Sequence, residues 1–305
     1  MMKEATAFGP ATCGNAAVGF DVLGFAVDAV GDTVTVSRNA ARDVRITQIT
    51  GVVTELPTDP AENTATVGLV KLVSDLELDH GFDVRIEKGI PIGSGMGGSA
   101  ASAVAALVAA NALLDTHLPD DDLFDYALAG EAVASGHAHP DNVAPCLYGG
   151  LTYTVDGRVH QLPAPLLYVA LVHPHVRVDT RAARAVLPAQ VPLSLAVRQM
   201  AELAAFVDAC HRGDARAVAR HTRDHLAQPH RATLVTGFDR ARDAAAAAGA
   251  EAFSLSGSGP TVFALAHDIA TATTVRDAVV EAFQHANVAA DGWISPFGAR
   301  GARLV

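Results

Sequence analysis

The chain has 305 residues, 50% of them hydrophobic, and a formal net charge of −11 at pH 7. This much apolar material excludes a disordered chain, and the length predicts about two domains or one large one. The negative charge excludes a general electrostatic attraction to nucleic acid or anionic lipid, so an anionic ligand needs a local binding device.

Hydrophobic patterning in the first 135 residues predicts strands followed by helices. The opening residues are expected to form a loop. Apolar residues at helical spacing predict a helix over 66–78, capped by Asn63 or Thr64. A helix over 121–135 begins with acidic residues, which favour a helix N-terminus. Alternating β-branched segments predict strands at 31–38, 43–49 and 82–90.

The stretch from Gly89 to Leu114 carries no charge and is long enough to suggest a transmembrane helix. Its first half contains five glycines and a proline, which do not suit a lipid-exposed helix. We therefore predict a glycine loop followed by a buried helix over 100–114, and no membrane partner.

The second half of the chain mixes strands and helices without the regular alternation of a doubly wound sheet. This mixture predicts an α+β fold whose domains meet near 150–160. Residues 135–150 contain too many Gly, Pro, His and Asn for regular structure, and 151–162 predict a hairpin. Further strands are predicted at 165–175, 251–255 and 261–266. One helix each is predicted at 180–187, 237–248 and 269–287, and more than one helix across 194–227.

The segment PIGSGMGGSAAS, residues 91–102, joins a predicted strand to a predicted helix. Its glycines allow positive φ, so that successive N–H groups point at one anion, and the following helix adds its positive N-terminal dipole. Ser99 and Ser102 offer hydroxyls to a phosphate or a metal. The segment therefore predicts a phosphate-binding loop, although a tight helix-packing loop has the same composition.

Two better-known phosphate motifs do not fit this loop. Gly93, Gly95 and Gly98 satisfy the dinucleotide pattern GxGxxG, but Pro91 separates them from the strand, and no acidic residue follows at the end of a second strand. The loop also lacks the lysine of a Walker A motif. The hypothesis of a nicotinamide-dependent dehydrogenase is therefore supported only by an accidental match to the GxGxxG pattern.

Three motifs, in order along the chain, resemble those of the GHMP kinases. The loop is similar to the family pattern PxxxGLGSSA, GPATCGNAAVGFDVLGFA (9–26) to its N-terminal motif, and FSLSGSGPTVFAL (253–265) to its C-terminal glycine motif. HPDNVAP (139–145) and the spacing of Asn15 and Asp21 resemble the homoserine kinase branch.

The resemblance implies a two-domain GHMP kinase fold of the α+β class. An N-terminal domain similar to ribosomal protein S5 domain 2 would span 1–155, and a ferredoxin-like C-terminal domain would span 156–305, with the active site between them. Members of the family are often homodimers, so a homodimer is expected.

The resemblance also implies a nucleotide site. ATP would place its phosphates on the loop, Mg²⁺ would be held by Ser99 and Glu131, and Asn63 would lie near the adenine or ribose. A hydroxyl and a carboxylate suit a hard cation that keeps several waters. The implied ATP-binding set is Asn63, Pro91, Ile92, Gly93, Ser94, Gly95, Met96, Gly97, Gly98, Ser99, Ala100, Ala101 and Ser102.

The acceptor implied by the resemblance is L-homoserine, phosphorylated to O-phospho-L-homoserine in threonine biosynthesis. Asp21 would pair with its ammonium group, while Arg184 and Arg231 would bind its carboxylate in bidentate geometry. The remaining implied substrate contacts are Asn15, Asn142 and Thr180.

The implied catalytic residues are Asn142, Ser99 and Glu131. Asn142 stands where other branches of the family carry a catalytic aspartate, and an amide accepts no proton. A general base is therefore not evident. Because the transition state of phosphoryl transfer is loose, we expect catalysis by positioning and metal, with late departure of the proton.

Departures from the family pattern bear on the acceptor more than on the reaction. Gly98 replaces a serine and Met96 a leucine in the loop, while Cys13 and the Ala16–Val18 run change the acceptor side. A kinase for another small alcohol and a non-catalytic ligand-binding relative therefore stay open.

Two remaining features have ordinary interpretations. His221, His225 and His230 have a spacing that zinc accepts, but a solvated helix face is favoured because no supporting motif accompanies them. Cysteines at 13, 146 and 210 are odd in number and widely spaced, and the N-terminus lacks an apolar signal core. A cytoplasmic location is therefore expected.

Overall fold

Two β-sheets with helices packed against them form the computed structural model, which describes residues 3–305. The strands are β1 (Glu4–Gly14), β2 (Leu23–Asn39), β3 (Val44–Gly51), β4 (Gly81–Lys88), β5 (Leu151–Val155), β6 (Arg158–Leu162), β7 (Tyr168–Pro174), β8 (Ala252–Leu255), β9 (Val262–Ala266), β10 (Ala290–Pro296) and β11 (Arg303–Leu304). The helices are α1 (Thr64–Asp75), α2 (Gly98–Asn111), α3 (Asp120–Ser135), α4 (Pro140–Tyr148), α5 (Thr180–Ala185), α6 (Leu193–Arg212), α7 (Ala215–His221), α8 (Gln228–Arg231), α9 (Phe238–Ala247) and α10 (Ile269–Gln284).

The first sheet has the strand order β11-β1-β2-β4-β3, and the β5–β6 hairpin is added along the other end of β2. Most neighbours are antiparallel, but β3 and β4 are parallel and α1 lies in the crossover between them. The second sheet is antiparallel in the order β10-β7-β9-β8 and packs against α9 and α10. This mixture of segregated and crossover elements is the α+β arrangement that the patterning predicts.

Helix α2 carries the charge-free segment into the centre of the first domain. It packs against β1 and β2 on one side and against α1 and α3 on the other, so most of its residues are buried. Gly9 of β1 allows this close packing, because a Cβ there would lie 2.2 Å from the Ala101 carbonyl oxygen. The prediction of a buried helix is confirmed, and no helix within residues 3–305 is both long and apolar enough to span a bilayer.

The two domains share part of their core. Phe25 of β2 makes an edge-to-face contact with Phe263 of β9, with ring centroids 5.2 Å apart, and lies 4.8 Å from the Phe297 ring. After β10 the chain returns to the first domain, where Ala299 donates to the Ala26 carbonyl and β11 pairs with β1. The two domains are therefore joined by apolar contacts and by backbone hydrogen bonds.

Several expected elements differ from those observed. The opening residues form strand β1 instead of a loop, and residues 288–305, for which no element was predicted, contain strands β10 and β11. Residues 140–148 form helix α4 instead of irregular structure, because Pro140 occupies the first turn, where its missing N–H costs nothing. The helices expected across 194–227 are α6 and α7, which Gly213 separates with φ +66°, but helical structure ends at His221 and residues 222–227 are not helical.

The sheet changes later in the chain than the expected domain boundary. A boundary at 155/156 separates β5 from β6, although the two strands pair along their whole length. We therefore propose that the first domain continues through Leu162 and that the second begins before Tyr168.

Candidate active site

A cavity of about 400 Å³ opens between the two domains and gathers residues from all three sequence motifs. The glycine loop, defined as residues 91–99, lines the cavity together with the segment 177–184 of the second domain, whose Val178 N–H donates to the Gly93 carbonyl at 3.4 Å. Of the predicted site residues, those that line the cavity are Asn15, Asp21, Pro91, Ile92, Gly93, Ser94, Gly95, Gly97, Gly98, Ser99, Glu131, Asn142, Thr180, Arg184 and Arg231.

The glycine loop bends through alternate residues in the left-handed region. Gly93, Gly95 and Gly97 have φ of +65°, +77° and +64°. Gly97 is the N-cap of α2 and offers no side-chain cap, so the first N–H groups of the helix face the cavity without a capping acceptor. This geometry is suited to binding an anion with backbone donors.

Both flanking motifs hold the glycine loop in place. Thr12 donates its backbone N–H to the Met96 carbonyl at 3.1 Å. From the second domain, the Ser256 hydroxyl donates to the Gly95 carbonyl at 2.7 Å and the Thr261 N–H donates to the Ser94 carbonyl at 3.1 Å. The loop is therefore preorganised by contacts outside the cavity.

A lysine that the sequence analysis missed lies beneath the loop. Lys88, at the end of β4, forms a buried ion pair with Asp32 and donates to the Gly98 carbonyl and the Ser102 hydroxyl, each at 2.9 Å. The second Asp32 oxygen accepts the N–H groups of Gly89 and Ile90. The sequence signal that could have identified Lys88 is its positive charge at the last position of the strand that precedes the loop.

Five residues of the expected ATP-binding set do not line the cavity. Asn63 is buried as the N-cap of α1, where its Oδ1 accepts from the Ala65 N–H at 3.0 Å. The other four are buried behind the loop, and the Ser102 hydroxyl donates to Asp32 at 2.6 Å. They are Met96, Ala100, Ala101 and Ser102.

Glu131 of α3 presents a carboxylate whose hydrogen bonding is incomplete. Its Oε1 lies 3.0 Å from His139 Nδ1, and this contact raises the pKa of His139. Its Oε2 is buried and has no hydrogen-bond partner among residues 3–305. An orphaned carboxylate oxygen in a cavity that Ser99 also lines fits the expected Mg²⁺ site, because Mg²⁺ needs few protein ligands.

The acceptor side is built on a strained turn, here called the acceptor turn, formed by residues 15–21. Asn15, Ala16, Ala17 and Asp21 have φ of +66°, +41°, +61° and +56°, a conformation that L-residues rarely adopt. The Asn15 amide spans the turn, because its Oδ1 accepts from the Asp21 N–H at 2.9 Å and its Nδ2 donates to the Gly257 carbonyl at 3.1 Å. Such strain is characteristic of functional sites.

Two arginines of the second domain meet the acceptor turn. Arg184 of α5 forms an ion pair with Asp21 at 2.7 Å. Arg231 of α8 is 4% exposed and donates to the carbonyl groups of Ala183 and Gly257, each at 3.1 Å. Burial lowers the pKa of Arg231. Both guanidinium groups lie over the Phe20 ring.

Asn142 and Asp141, in the first turn of α4, complete the floor of the cavity. The Thr12 hydroxyl donates to Asn142 Oδ1 at 2.8 Å, and Asp141 Oδ2 accepts from the Asn15 N–H at 3.0 Å. Burial raises the pKa of Asp141 to about 6. Gly14 makes room for both side chains, since a Cβ there would lie 2.7 Å from each.

Other charged residues take positions that were not anticipated. Arg177 and Arg181 also line the cavity, and Arg177 lies beside the glycine loop, since a Cβ on Gly93 would be 3.1 Å from its Cγ. The three histidines do not form the one solvated face that was expected. His221 and His225 are partly buried and contact Glu202 at 2.8 and 3.3 Å, whereas His230 is exposed. Within residues 3–305, no three His, Cys, Asp or Glu side chains form a metal-binding group.

Comparison with known proteins agrees with this architecture. The family model for the GHMP kinases N terminal domain matches residues 64–150, and the model for the GHMP kinases C terminal domain matches residues 206–285. A homoserine kinase of Xanthomonas campestris is 46% identical, covering 100% of this chain and 95% of the relative, and one of Chloroherpeton thalassium is 40% identical over the whole of both chains.

Solved structures give the same result. The crystal structure of homoserine kinase from Cytophaga hutchinsonii has a TM-score of 0.96 at 39% identity, covering 100% of this chain and 98% of that one. Mevalonate kinase from Staphylococcus aureus shares the fold at a TM-score of 0.65 and 18% identity. The expected fold class is confirmed, and the chain belongs to the GHMP kinase family, in its homoserine kinase branch.

Proposed function

We propose that the chain transfers the γ-phosphoryl group of ATP to the side-chain hydroxyl of L-homoserine, forming ADP and O-phospho-L-homoserine, a step of threonine biosynthesis. The observation that carries the proposal is one cavity that is lined both by the glycine loop and by Asp21 of the acceptor turn, Arg184 of α5 and Arg231 of α8. The relatives named homoserine kinase match the chain over its whole length, which supports the same acceptor.

On the donor side, the chain offers backbone dipoles in place of a loop lysine. The N–H groups at the start of α2 and in the glycine loop point at the cavity, where they stabilise the phosphate oxygens of ATP. Because these donors are fixed by Thr12, Ser256 and Thr261, little reorganisation is needed as charge develops in the transition state.

We propose that Ser99 and Glu131 hold Mg²⁺. The ion neutralises charge on the β- and γ-phosphates when it is bound. The orphaned Glu131 Oε2 is the free ligand oxygen, while Oε1 remains held by His139. Glu131→Gln is expected to raise the Mg²⁺ concentration needed for half-maximal rate about 10- to 100-fold with an unchanged fold, and chelation of Mg²⁺ is expected to stop turnover.

On the acceptor side, the charges match an amino acid. The Asp21 carboxylate attracts the ammonium group, and the two guanidinium groups attract the carboxylate. Two hydrogen bonds of the Asn15 side-chain amide, to Asp21 and Gly257, hold the acceptor turn in its conformation. Thr180 begins α5 and lines the same cavity, and we assign it to the space between donor and acceptor.

Asn142 orients the attacking hydroxyl in this proposal. Its Oδ1 accepts from Thr12, and its Nδ2 donates one hydrogen to Asp141 Oδ1 at 3.4 Å, so the second Nδ2 hydrogen is the group assigned to the acceptor oxygen. The proton leaves late, to the transferred phosphoryl group, and no side chain has to accept it early. Asn142→Ala is expected to lower kcat strongly, and unchanged activity would contradict this placement.

The decisive experiment measures ADP release with Mg-ATP across a panel of small alcohols. L-homoserine is expected to give the highest kcat/KM. Turnover of mevalonate or a sugar, with none of L-homoserine, would identify a kinase for another alcohol. Absence of ADP formation with every acceptor would identify a non-catalytic relative.

We also propose a homodimer in the cytoplasm. An exposed apolar stripe on α6, formed by Leu193, Val197 and Met200, supports self-association, because such surface is costly in water. Sedimentation is expected to give a dimer that Val197→Glu dissociates, and a monomeric parent chain would refute the dimer.

The cysteines support the proposed location. All three are free and buried, as expected in a reducing compartment.

A further inference from the structure

The Phe20 ring contacts both arginines of the acceptor side. The Arg184 and Arg231 guanidinium carbons lie 5.5 and 5.2 Å from the centroid of the ring. The two side chains come from different helices, α5 and α8, so one ring of the first domain joins two elements of the second. The face of an aromatic ring attracts a cation at this distance.

The two guanidinium groups repel each other, so a group such as the Phe20 ring is needed to stabilise them side by side. Arg184 is paired with Asp21 and is about half exposed. Arg231 is buried and bonded to two carbonyl oxygens, and within residues 3–305 no carboxylate lies within 4.0 Å of its guanidinium nitrogens. A buried cation without an anion is unfavourable until an anionic ligand arrives.

The ring belongs to the acceptor turn and precedes Asp21 directly. The turn therefore fixes the ring, the Asp21 carboxylate and, through the ring, both guanidinium groups as one unit. Phe20 itself does not line the cavity. It acts on a ligand only through the arginines, which makes it a positioning residue.

We propose that Phe20 positions Arg184 and Arg231 at the spacing that one carboxylate requires, and thereby selects acceptors that carry a carboxylate. This inference rests on the proposed function for the identity of the acceptor. It adds a residue that discriminates between an amino acid and an amino alcohol, since only the amino acid uses the paired arginines.

The test compares L-homoserine with 3-aminopropan-1-ol, which lacks the carboxylate but keeps the ammonium group and the hydroxyl. Phe20→Leu keeps an apolar side chain and removes the aromatic face. We expect its kcat/KM for L-homoserine to fall about tenfold, mainly through KM, because two cation–π contacts are lost. The kcat/KM for 3-aminopropan-1-ol and the KM for ATP are expected to stay within about twofold.

Phe20→Tyr, which keeps the ring face, is expected to restore the preference for L-homoserine. A Phe20→Leu variant with unchanged L-homoserine kinetics, or with an equal loss for both acceptors, overturns the proposal, because a structural role alone does not distinguish the two molecules.

A separate readout keeps the inference apart from the proposed function. If the parent chain phosphorylates neither acceptor, the proposed function fails and the positioning role is decided by binding. Millimolar L-homoserine is then expected to raise the melting temperature of the parent chain more than that of Phe20→Leu, with 3-aminopropan-1-ol affecting both alike. Equal shifts with L-homoserine, or none in either protein, reject the role of Phe20.

Discussion

The glycine loop and the acceptor turn both bend the backbone into the left-handed region, but they do so with different residues. The loop places glycine at each such position that lines the cavity, Gly93, Gly95 and Gly97. The acceptor turn places Asn15, Ala16, Ala17 and Asp21 there instead.

The difference follows from what each region contributes to binding. The loop offers backbone N–H groups and needs close approach, so side chains would be obstacles. The acceptor turn offers an amide and a carboxylate, which glycine lacks, and it accepts a strain of about 1–3 kcal/mol at each residue. The strain is held by contacts such as those of Asn15 with Asp21 and Gly257.

The largest effect is expected from adding a methyl group to the loop. A Cβ on Gly97 would lie 2.0 Å from Thr12 Oγ1 and 3.0 Å from Asn142 Oδ1. Gly97→Ala is expected to lower kcat/KM for ATP at least about 100-fold, because the phosphate donors and Asn142 are both displaced. Steady-state kinetics measure the loss.

Gly157→Ala is the matched control, since Gly157 also has positive φ, +72°, but no neighbour within 4 Å of the added Cβ. It is expected to cost stability only. Activity of Gly97→Ala within a few-fold of the parent chain would show that the loop does not hold the phosphates.

A somewhat smaller effect is expected on the acceptor side from Arg231→Lys. The ammonium group keeps the charge but cannot reproduce the forked hydrogen bonds to Ala183 and Gly257. The kcat/KM for L-homoserine is expected to fall about 10- to 100-fold with an unchanged KM for ATP. Arg216→Lys, on the exposed face of α7, is the control. An equal loss for both substrates would argue against separate donor and acceptor sides.

Asp141 is expected to make stability depend on pH. Because burial raises its pKa from 3.8 to about 6, its protonated form favours the folded state below the unfolded pKa, and this contribution is lost as the pH rises through about 6. Asp141→Asn avoids the buried charge. Urea unfolding is expected to show the free energy of unfolding of the variant rising relative to that of the parent chain by up to about 3 kcal/mol between about pH 3 and about pH 7. Parallel pH profiles would contradict this assignment.

The smallest effect is a gain in stability from Ala17→Gly. Glycine relieves the left-handed strain at φ +61° but increases the entropy of the unfolded chain, so the net gain is expected to be about 0.5–1 kcal/mol. Ala246→Gly, at an exposed position in α9, is expected to have the opposite sign. A loss of stability on Ala17→Gly would show that the turn is not strained there.

The sequence predicts the glycine loop well because its signal is local. Successive glycines before an alanine-rich segment specify a strand-to-helix corner, and the observed α2 begins within it. The acceptor turn gives no such signal, since Asn15, Ala16 and Ala17 do not ordinarily favour positive φ together. Only the family resemblance marked Asn15 and Asp21 as site residues.

Other features depend on contacts between distant segments. The Lys88–Asp32 pair joins strands β4 and β2, and the Phe20 contacts join the two domains, so neither follows from spacing along the chain. Helix α4 was missed because residues 135–150 are rich in Gly, Pro, His and Asn, although Pro140 stands at a position where proline is tolerated. Tertiary packing decides these cases.

A crystal structure with a non-hydrolysable ATP analogue and L-homoserine tests the donor and acceptor assignments together. The triphosphate is expected against residues 93–99, and the homoserine carboxylate between the guanidinium groups of Arg184 and Arg231. A triphosphate bound elsewhere, with the glycine loop vacant, would contradict the assignment of the loop as the phosphate site.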